Sequence, residues 1–399
     1  MGARAAITRI DAFVFRFPNE RPVATSFGVM RDRPAVFVRV ETDDGAFGWG
    51  EIFANWPAAG AEHRANLLIH DVADLVLGHS FEAPGDLLHK LERETRIRAI
   101  QCGEQGPFRQ VTAGLDIAMW DLFARRAGQP LRHILNNAAA ASVPAYASGI
   151  AVKDAAEAIA KARKAGHHMF KVKVGFDLDG DAKAVRELTR TLSPHERLAA
   201  DANQVWDLSG SLAFLKVLGD ASLSWLEEPM PVDAPDADWR HLAKQSQIPL
   251  AGGENLAGID AFDAAIAAGS LTVLQPDVAK WGGITGCRLV AARAMAAGRR
   301  YCPHFLGGGI GLLASAHLLA AVGGDGDGVL EVDINDNPLR DAFVQPQTSL
   351  STGRWHLDNR PGLGVDALPP ELSPFQTLNL SKRAQTRPFS VPSMNLIAS

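Results

Sequence analysis

Cysteine is scarce in this chain: three residues in 399, Cys102, Cys287 and Cys302, with no CxxC spacing among them. So odd and scattered a set excludes a disulfide framework or a zinc knuckle and fits reduced thiols in a cytoplasm. Excess positive charge is missing too. Forty Lys and Arg against 45 Asp and Glu leave a formal charge of −5. Such a surface has no field to grip a phosphate backbone, so nucleic acid is not an expected partner. No apolar run reaches the roughly 20 residues that span a bilayer, and no membrane association is expected. The first 17 residues break their apolar stretch with Arg9, Asp11 and Arg16, unlike a signal peptide. What is present is 47% hydrophobic residues, enough for a large core. These bounds describe a cytoplasmic protein that handles small molecules.

The first third reads as strands, then helices. Residues 7–17 alternate in part, 35–40 form a β-branched run, and the turn residues Thr42–Gly45 lead into 46–53, so these last two runs predict a hairpin. Helical spacing follows around 60–77, 84–98 and 107–127, stopping at Gly128 and Pro130. An α+β unit over 1–135 is expected, with the Ala/Asn stretch 136–141 as its boundary. Beyond it, eight short β-like runs alternate with amphipathic helices: 143–148, 170–174, 197–202, 223–226, 248–251, 271–274, 300–303 and 329–332. Strict βα alternation implies parallel strands, and eight of them imply a closed barrel over 136–340, with a doubly wound open sheet as the rival. Residues 341–399 read as a segment returning over the first unit, irregular through 354–366 and ending in a mobile tail from Ser381.

Polar residues interrupt this rhythm at regular places. Lys171 and Lys173 lie in FKVKVG, Asp201 ends LAAD, Glu227 lies in WLEEP, Glu254 ends AGGE, Asp277 ends LQPD, His304 ends YCPH and Glu331 lies in LEVD. From Asp201 onward the intervals are 26, 27, 23, 27 and 27 residues, one βα unit each. Each residue therefore falls near the C-terminal end of its own strand, where a barrel gathers its catalytic groups at one mouth. Three carboxylates on consecutive strands, Asp201, Glu227 and Glu254, repel strongly in a dry mouth unless a cation joins them. An all-oxygen donor set selects a hard ion, Mg²⁺ before Mn²⁺. Glu228 alternates to the other side of the chain and reads as structural. Lys171 and Lys173 share one strand face, and two adjacent ammonium groups lower a lysine pKa toward that of a base. Asp277 can orient His304 and stabilise its imidazolium.

These motifs, together with GWGE and GLDIAMWDLFARRAG ahead of the barrel, make the chain resemble the enolase superfamily and within it the mandelate racemase branch. The resemblance implies an α+β capping domain over a (β/α)7β barrel. It makes Asp201, Glu227 and Glu254 the Mg²⁺ ligands, Lys173 one acid–base group, and His304 with Asp277 the other. Lys171 would touch the substrate carboxylate and depress Lys173, Glu331 would hydrogen-bond that carboxylate, and Asn203 would lie close to the substrate. The muconate-lactonizing branch carries a lysine where this chain has Asp277, so the racemase-like branch is favoured; Lys280 comes three residues late and reads as structural. The expected chemistry is removal of a proton α to a carboxylate. Dehydration of a sugar acid to a 2-keto-3-deoxy acid is the leading reading. A sugar-lactone cycloisomerase, a racemase or epimerase of a 2-hydroxy acid, and a silent metal- or ligand-binding relative are the alternatives. Substrate choice is expected from capping loops at 25–30 and 53–57, and homo-oligomerisation by resemblance.

Other features are discounted. The glycine-rich stretches 307–311 and 323–326 lack the strand–turn–helix setting of a dinucleotide site. His317 reads as a packed helix residue, the pair His167 and His168 as turn surface, and Cys302 as core.

Overall fold

The computed structural model describes residues 5–25, 28–323, 327–344 and 350–385. Its first unit is an antiparallel sheet in which β1 (Ile7–Thr25), β2 (Gly28–Thr42) and β3 (Phe47–Ile52) follow in order. The turn between β2 and β3 closes with the Gly45 amide donating to the Thr42 carbonyl at 3.0 Å, as the turn residues predict. Helices α1 (Gly60–Leu67), α2 (Gly85–Cys102), α3 (Gln105–Arg126) and α4 (Leu131–Leu135) complete it. Helix α3 is buried along most of its length, so it lies between the cap sheet on one side and the rest of the molecule on the other.

The second unit runs β4 (Ser142–Ala151), α5 (Ala155–Lys164), β5 (Met169–Lys173), α6 (Leu178–Arg190), β6 (Arg197–Asp201), α7 (Leu208–Leu218), β7 (Leu226–Glu227), α8 (Asp236–Gln245), β8 (Leu250–Gly252), α9 (Ile259–Ala268), β9 (Val273–Leu274), α10 (Gly283–Ala296), β10 (Arg300–Tyr301), α11 (Gly309–Val322) and β11 (Leu330–Asp333). Neighbouring strands from β4 to β10 pair in parallel, and β11 pairs in parallel with β4. Eight buried side chains, one at or beside each strand, pack into a single inner cluster: Tyr146, Met169, Ala199, Trp225, Ala251, Val273, Cys302 and Val329. That is the filled interior of a (β/α)7β barrel. Outward-facing Phe170, Val172, Leu198 and Ala200 pack instead against the helices, as strand alternation requires. Cys302 is core, as its place in the sequence suggests.

The last segment differs from its reading as irregular chain. After α12 (Pro338–Val344), β12 (Leu350–Ser351) and β13 (Arg354–His356) form a hairpin, and β13 pairs antiparallel with β4. Strand β14 (Gln376–Arg383) then pairs with β1 of the cap, so Ser381–Arg383 are strand and a tail cannot begin at Ser381. The reason is a short alternation, with Leu378 and Leu380 packed on the cap core and polar residues between them. Positions 386–399 of the expected tail lie outside the described residues. Cap and barrel share one core, in which Phe15, Phe37 and Trp49 meet Ile310, Leu312 and Ala316 of α11.

Candidate active site

Strand alternation and parallel register bring the polar residues to one end of the barrel. Lys171 and Lys173 both face inward from β5, and Lys173 is the register partner of Asp201, which in turn pairs with Glu227. Glu254 follows β8, Asp277 follows β9, His304 follows β10, and Glu331 lies in β11. The cap closes over this end to leave a cavity of about 570 Å³, lined by Lys171, Lys173, Asp201, Asn203, Glu254, His304 and Glu331 among others. Glu227 and Asp277 lie just beneath its wall, 2% exposed each.

The carboxylates do not meet at one point. Lys171 Nζ bridges Glu227 Oε1 at 2.5 Å, Glu331 Oε1 at 2.9 Å and Asp201 Oδ2 at 3.6 Å. Glu227 Oε2 also accepts from Trp225 Nε1 at 2.9 Å and Gln275 Nε2 at 2.7 Å. Glu254 instead pairs with His304 Nε2 and, at 3.5 Å, with Lys280 Nζ. Among the described residues no three His, Cys, Asp or Glu side chains stand together as a metal cluster. The reason is electrostatic: the ammonium and imidazole groups supply the countercharge, and each carboxylate turns toward the nearest one. The donor chemistry still suits a hard ion, with oxygen donors alone on three successive strand ends and no His or Cys between them.

Burial and these pairs set the protonation states. Burial alone would lower the Lys171 pKa, but Glu227, Glu331 and Asp201 hold it well above the ordinary value. Lys171 is therefore held as a cation in the cavity wall. Burial pushes Glu227 up to about 7, Lys171 pulling the other way. Lys173 Nζ donates to Asn203 Oδ1 at 2.6 Å and lies 3.5 Å from Asp201 Oδ2. The Asn203 backbone, at φ 46°, turns so that its amide reaches Asp201 Oδ1 at 2.9 Å. Asn203 thus ties Lys173 to Asp201.

Across the mouth, His304 Nδ1 donates to Asp277 Oδ2 at 2.7 Å. Asp277 is held in turn by the Ala279 amide at 2.8 Å and the Lys280 amide at 3.2 Å. The ring is thereby oriented with Nε2 toward the cavity side. Burial would lower the His304 pKa, but Glu254, Glu331 and Asp277 hold it well above the ordinary value.

Sequence reasoning missed charged residues of the wall, among them Lys280 and Arg33. Lys280, read as structural, lines the cavity with its ammonium 3.2 Å from Asn255 Oδ1 and over the Phe53 ring of the cap. Arg33 of β2 lines it as well and pairs with Asp333 at 2.9 Å, both buried. A cation next to a short β-branched run gave no sign of where it would point. Glu228, just past β7, is buried and accepts from Asn255 Nδ2 at 2.9 Å. Of the expected capping loops, Met30, Phe53, Asn55, Trp56 and Pro57 reach the cavity; positions 26 and 27 lie outside the described residues. His317 is packed, accepting from the Arg132 amide at 3.1 Å. His167 is buried rather than turn surface, and burial lowers its pKa to about 4.

Comparison with known proteins agrees with this architecture. Residues 9–136 match the mandelate racemase / muconate lactonizing enzyme N-terminal domain, and residues 153–370 the enolase C-terminal domain-like family. The chain is 28% identical over 390 residues to a D-galactarolactone cycloisomerase of Agrobacterium fabrum, covering 93% of this chain and 98% of that one. It is 32% identical over 296 residues to a 3,6-anhydro-alpha-L-galactonate cycloisomerase of Streptomyces coelicolor, covering 73% and 80%. An arabinonate dehydratase of Saccharolobus solfataricus is 26% identical over 338 residues, covering 82% and 87%. Among solved structures, a mandelate racemase/muconate lactonizing enzyme from Bordetella bronchiseptica superposes with a TM-score of 0.87 at 48% identity, covering 93% of this chain and 99% of that one. An enolase from Bradyrhizobium, complexed with magnesium and mandelic acid, superposes with a TM-score of 0.80 at 29% identity, covering 95% and 100%. The chain belongs to the enolase superfamily, in its mandelate racemase branch.

Proposed function

We propose that this chain removes the α-proton of a sugar acid and expels the oxygen on the neighbouring carbon, a dehydration that yields a 2-keto-3-deoxy acid. The observation that carries the reading is the pairing of Lys173 on one side of the cavity with the Asp277–His304 dyad on the other. Lys173 Nζ takes the proton, and the electron pair moves into the carboxylate to give an enediolate. The Lys171 ammonium, with Glu331 beside it, faces that carboxylate and stabilises its growing charge. His304 Nε2 hands a proton to the departing hydroxyl, Asp277 steadying the ring through Nδ1. Water leaves, and the enol formed ketonises. Asp201, Glu227 and Glu254 would hold Mg²⁺, with Mn²⁺ the alternative. When bound, the ion neutralises charge on the substrate carboxylate.

A second reading is favoured by the names of two relatives: if the expelled oxygen belongs to a lactone or anhydro ring, the same two proton transfers open the ring and the enzyme is a cycloisomerase. Return of a proton by His304 to the α-carbon would make it a racemase or epimerase. Three free thiols, two of them buried, fit a cytoplasmic setting, and a homo-oligomer is part of the same proposal.

The test is incubation with Mg²⁺ in D2O and a panel of sugar acids and their lactones. At least one should gain α-deuterium and give a keto acid, and Lys173→Ala should lower both by about 10³-fold or more. If the metal raises Tm while no compound exchanges, the chain is a silent binding relative and the enzymatic reading fails.

A further inference from the structure

Two buried carboxylates of the cap reach into the barrel and end on the two helices behind the dyad. Glu51 of β3, 2% exposed, accepts from the Gly308 amide at 2.5 Å and the Gly311 amide at 2.8 Å, at the start of α11. Asp116 of α3, fully buried, accepts from the Thr285 amide at 2.9 Å and its hydroxyl at 2.7 Å, in the first turn of α10. Neither helix has a side-chain cap of its own; their N-cap residues are Gly282 and Gly308. A helix start carries unpaired amides and a partial positive charge, and a carboxylate placed there satisfies both.

The spacing gives these contacts their meaning. Asp277 lies six residues before α10 and His304 five before α11, so each latch closes the short segment that carries one member of the dyad. The same segments have further ties to the cap. Asn55 Nδ2 donates to the Leu306 carbonyl at 2.8 Å, and the Phe53 amide to the Ala279 carbonyl at 3.2 Å.

The glycine-rich run 307–311 finds its explanation here. A Cβ on Gly307 would stand 2.7 Å from Glu51 Oε1, and one on Gly308 would stand 3.0 Å from it. The run is an anion cradle of the kind that binds phosphate elsewhere, filled here by the chain's own carboxylate. Gly283 does the same at the other latch: a Cβ there would stand 2.3 Å from Asp116 Oδ2.

We infer that Glu51 and Asp116 are positioning residues that fix the Asp277–His304 pair from the cap, so that the cap governs the His304 step and leaves the Lys173 step to the barrel. This rests on the reading of His304 as the second acid–base group. Neither carboxylate lines the cavity, so neither touches substrate; each acts through the helix start it holds.

The experiment uses the full chain with Glu51→Gln, Thr285→Val and Thr285→Ser, with histidine ring nitrogens labelled. In the wild type the His304 Nδ1 proton shared with Asp277 gives a low-field resonance. Glu51→Gln and Thr285→Val should shift or broaden it, whereas Thr285→Ser keeps the hydroxyl and the signal. In the same variants, elimination should fall at least 30-fold through kcat with KM within threefold, while α-deuterium exchange driven by Lys173 stays within threefold. Thr285→Ser should restore elimination. If Glu51→Gln fails to fold, Thr285→Val reads the opposite latch from the barrel side. An unchanged His304 resonance, or exchange and elimination falling in parallel, overturns the inference. If no sugar acid turns over, the functional reading fails and the resonance still decides this one.

Discussion

On the β5–β6 side of the mouth, the helices that follow Lys173 and Asp201 cap themselves. Asp177 accepts from the Gly180 amide at 3.2 Å at the start of α6, and Asp207 from the Gly210 amide at 2.7 Å at the start of α7. On the β9–β10 side, the helices that follow Asp277 and His304 have no such residue, and carboxylates some 170 and 257 positions away in the chain supply the contact. The Thr285–Asp116 separation is 169 residues and the Gly308–Glu51 separation 257. One half of the site is thus specified locally, by the same few residues that build each βα unit. The other half exists in its final form only once cap and barrel have docked. A site assembled this way ties the Asp277–His304 pair to the cap.

The sharpest way to break the comparison is to remove the ring itself. His304→Asn should lower elimination by about 10³-fold, the middle of the range for a positioned acid, while Lys173 continues to exchange the α-proton of a substrate that presents it on that side. Deuterium uptake against keto-acid formation, followed in one tube, gives both numbers. Loss of both together would mean that the two groups act as a single unit and that the division of the mouth has no chemical consequence.

A smaller effect comes from the protonation of the latches. Burial pushes Glu51 up to about 7 against the pull of the Gly311 and Gly308 amides, Asp277 adding to the rise. Burial likewise pushes Asp116 up to about 7 against its bonds to Thr285. Each group has a folded pKa above its unfolded one, so the folded chain binds the extra proton between about pH 4 and 7. The stability each contributes is fully present below the unfolded pKa and is lost as pH rises through about 7. The loss is about 3 kcal/mol for Glu51 and about 4 kcal/mol for Asp116. Measured against Glu51→Gln, the wild-type advantage in unfolding free energy should shrink between pH 4.5 and 8. An advantage that grows over this range would show that Glu51 is held as a carboxylate throughout.

The same division explains what the sequence made legible. Lys171, Lys173, Asp201 and Glu227 stand at strand ends that a period-two pattern locates, and their register pairing follows from the parallel sheet. The even spacing of the later acids and His304 placed them at the same mouth, and the hydrogen bond between His304 and Asp277 is the one their neighbouring strands predict. What the spacing could not give is direction. Whether Glu254 turns to His304 or to a metal, whether Lys280 points into the cavity, and where Glu51 ends all depend on contacts between distant parts of the chain. The glycine-rich run was visible as a motif and so was GWGE, which ends in its partner Glu51, but the two lie in different domains and no spacing links them. Strand β14 was lost for a different reason: an edge strand of eight residues with two inward leucines gives too weak an alternation to stand out.

The smallest effect separates self-capping from capping by the domain above. Asp207→Ala removes an N-cap that serves only α7, and such losses cost about 1 kcal/mol. The first turn of α7 should fray, the midpoint of denaturation should fall slightly, and the His304 resonance should stay where it is, because among the described residues no backbone hydrogen bond joins α7 to the β9–β10 segments. Asp116→Asn costs more than a cap: it leaves an amide nitrogen facing either the Thr285 amide or its hydroxyl and disturbs a site buried between two domains. Run side by side, the two substitutions should therefore differ in kind, one lowering stability alone and the other moving the imidazole. If Asp207→Ala also moved the His304 signal, the two sides of the mouth would be coupled through the barrel itself, and the contrast between a locally specified half and a docked half would no longer hold.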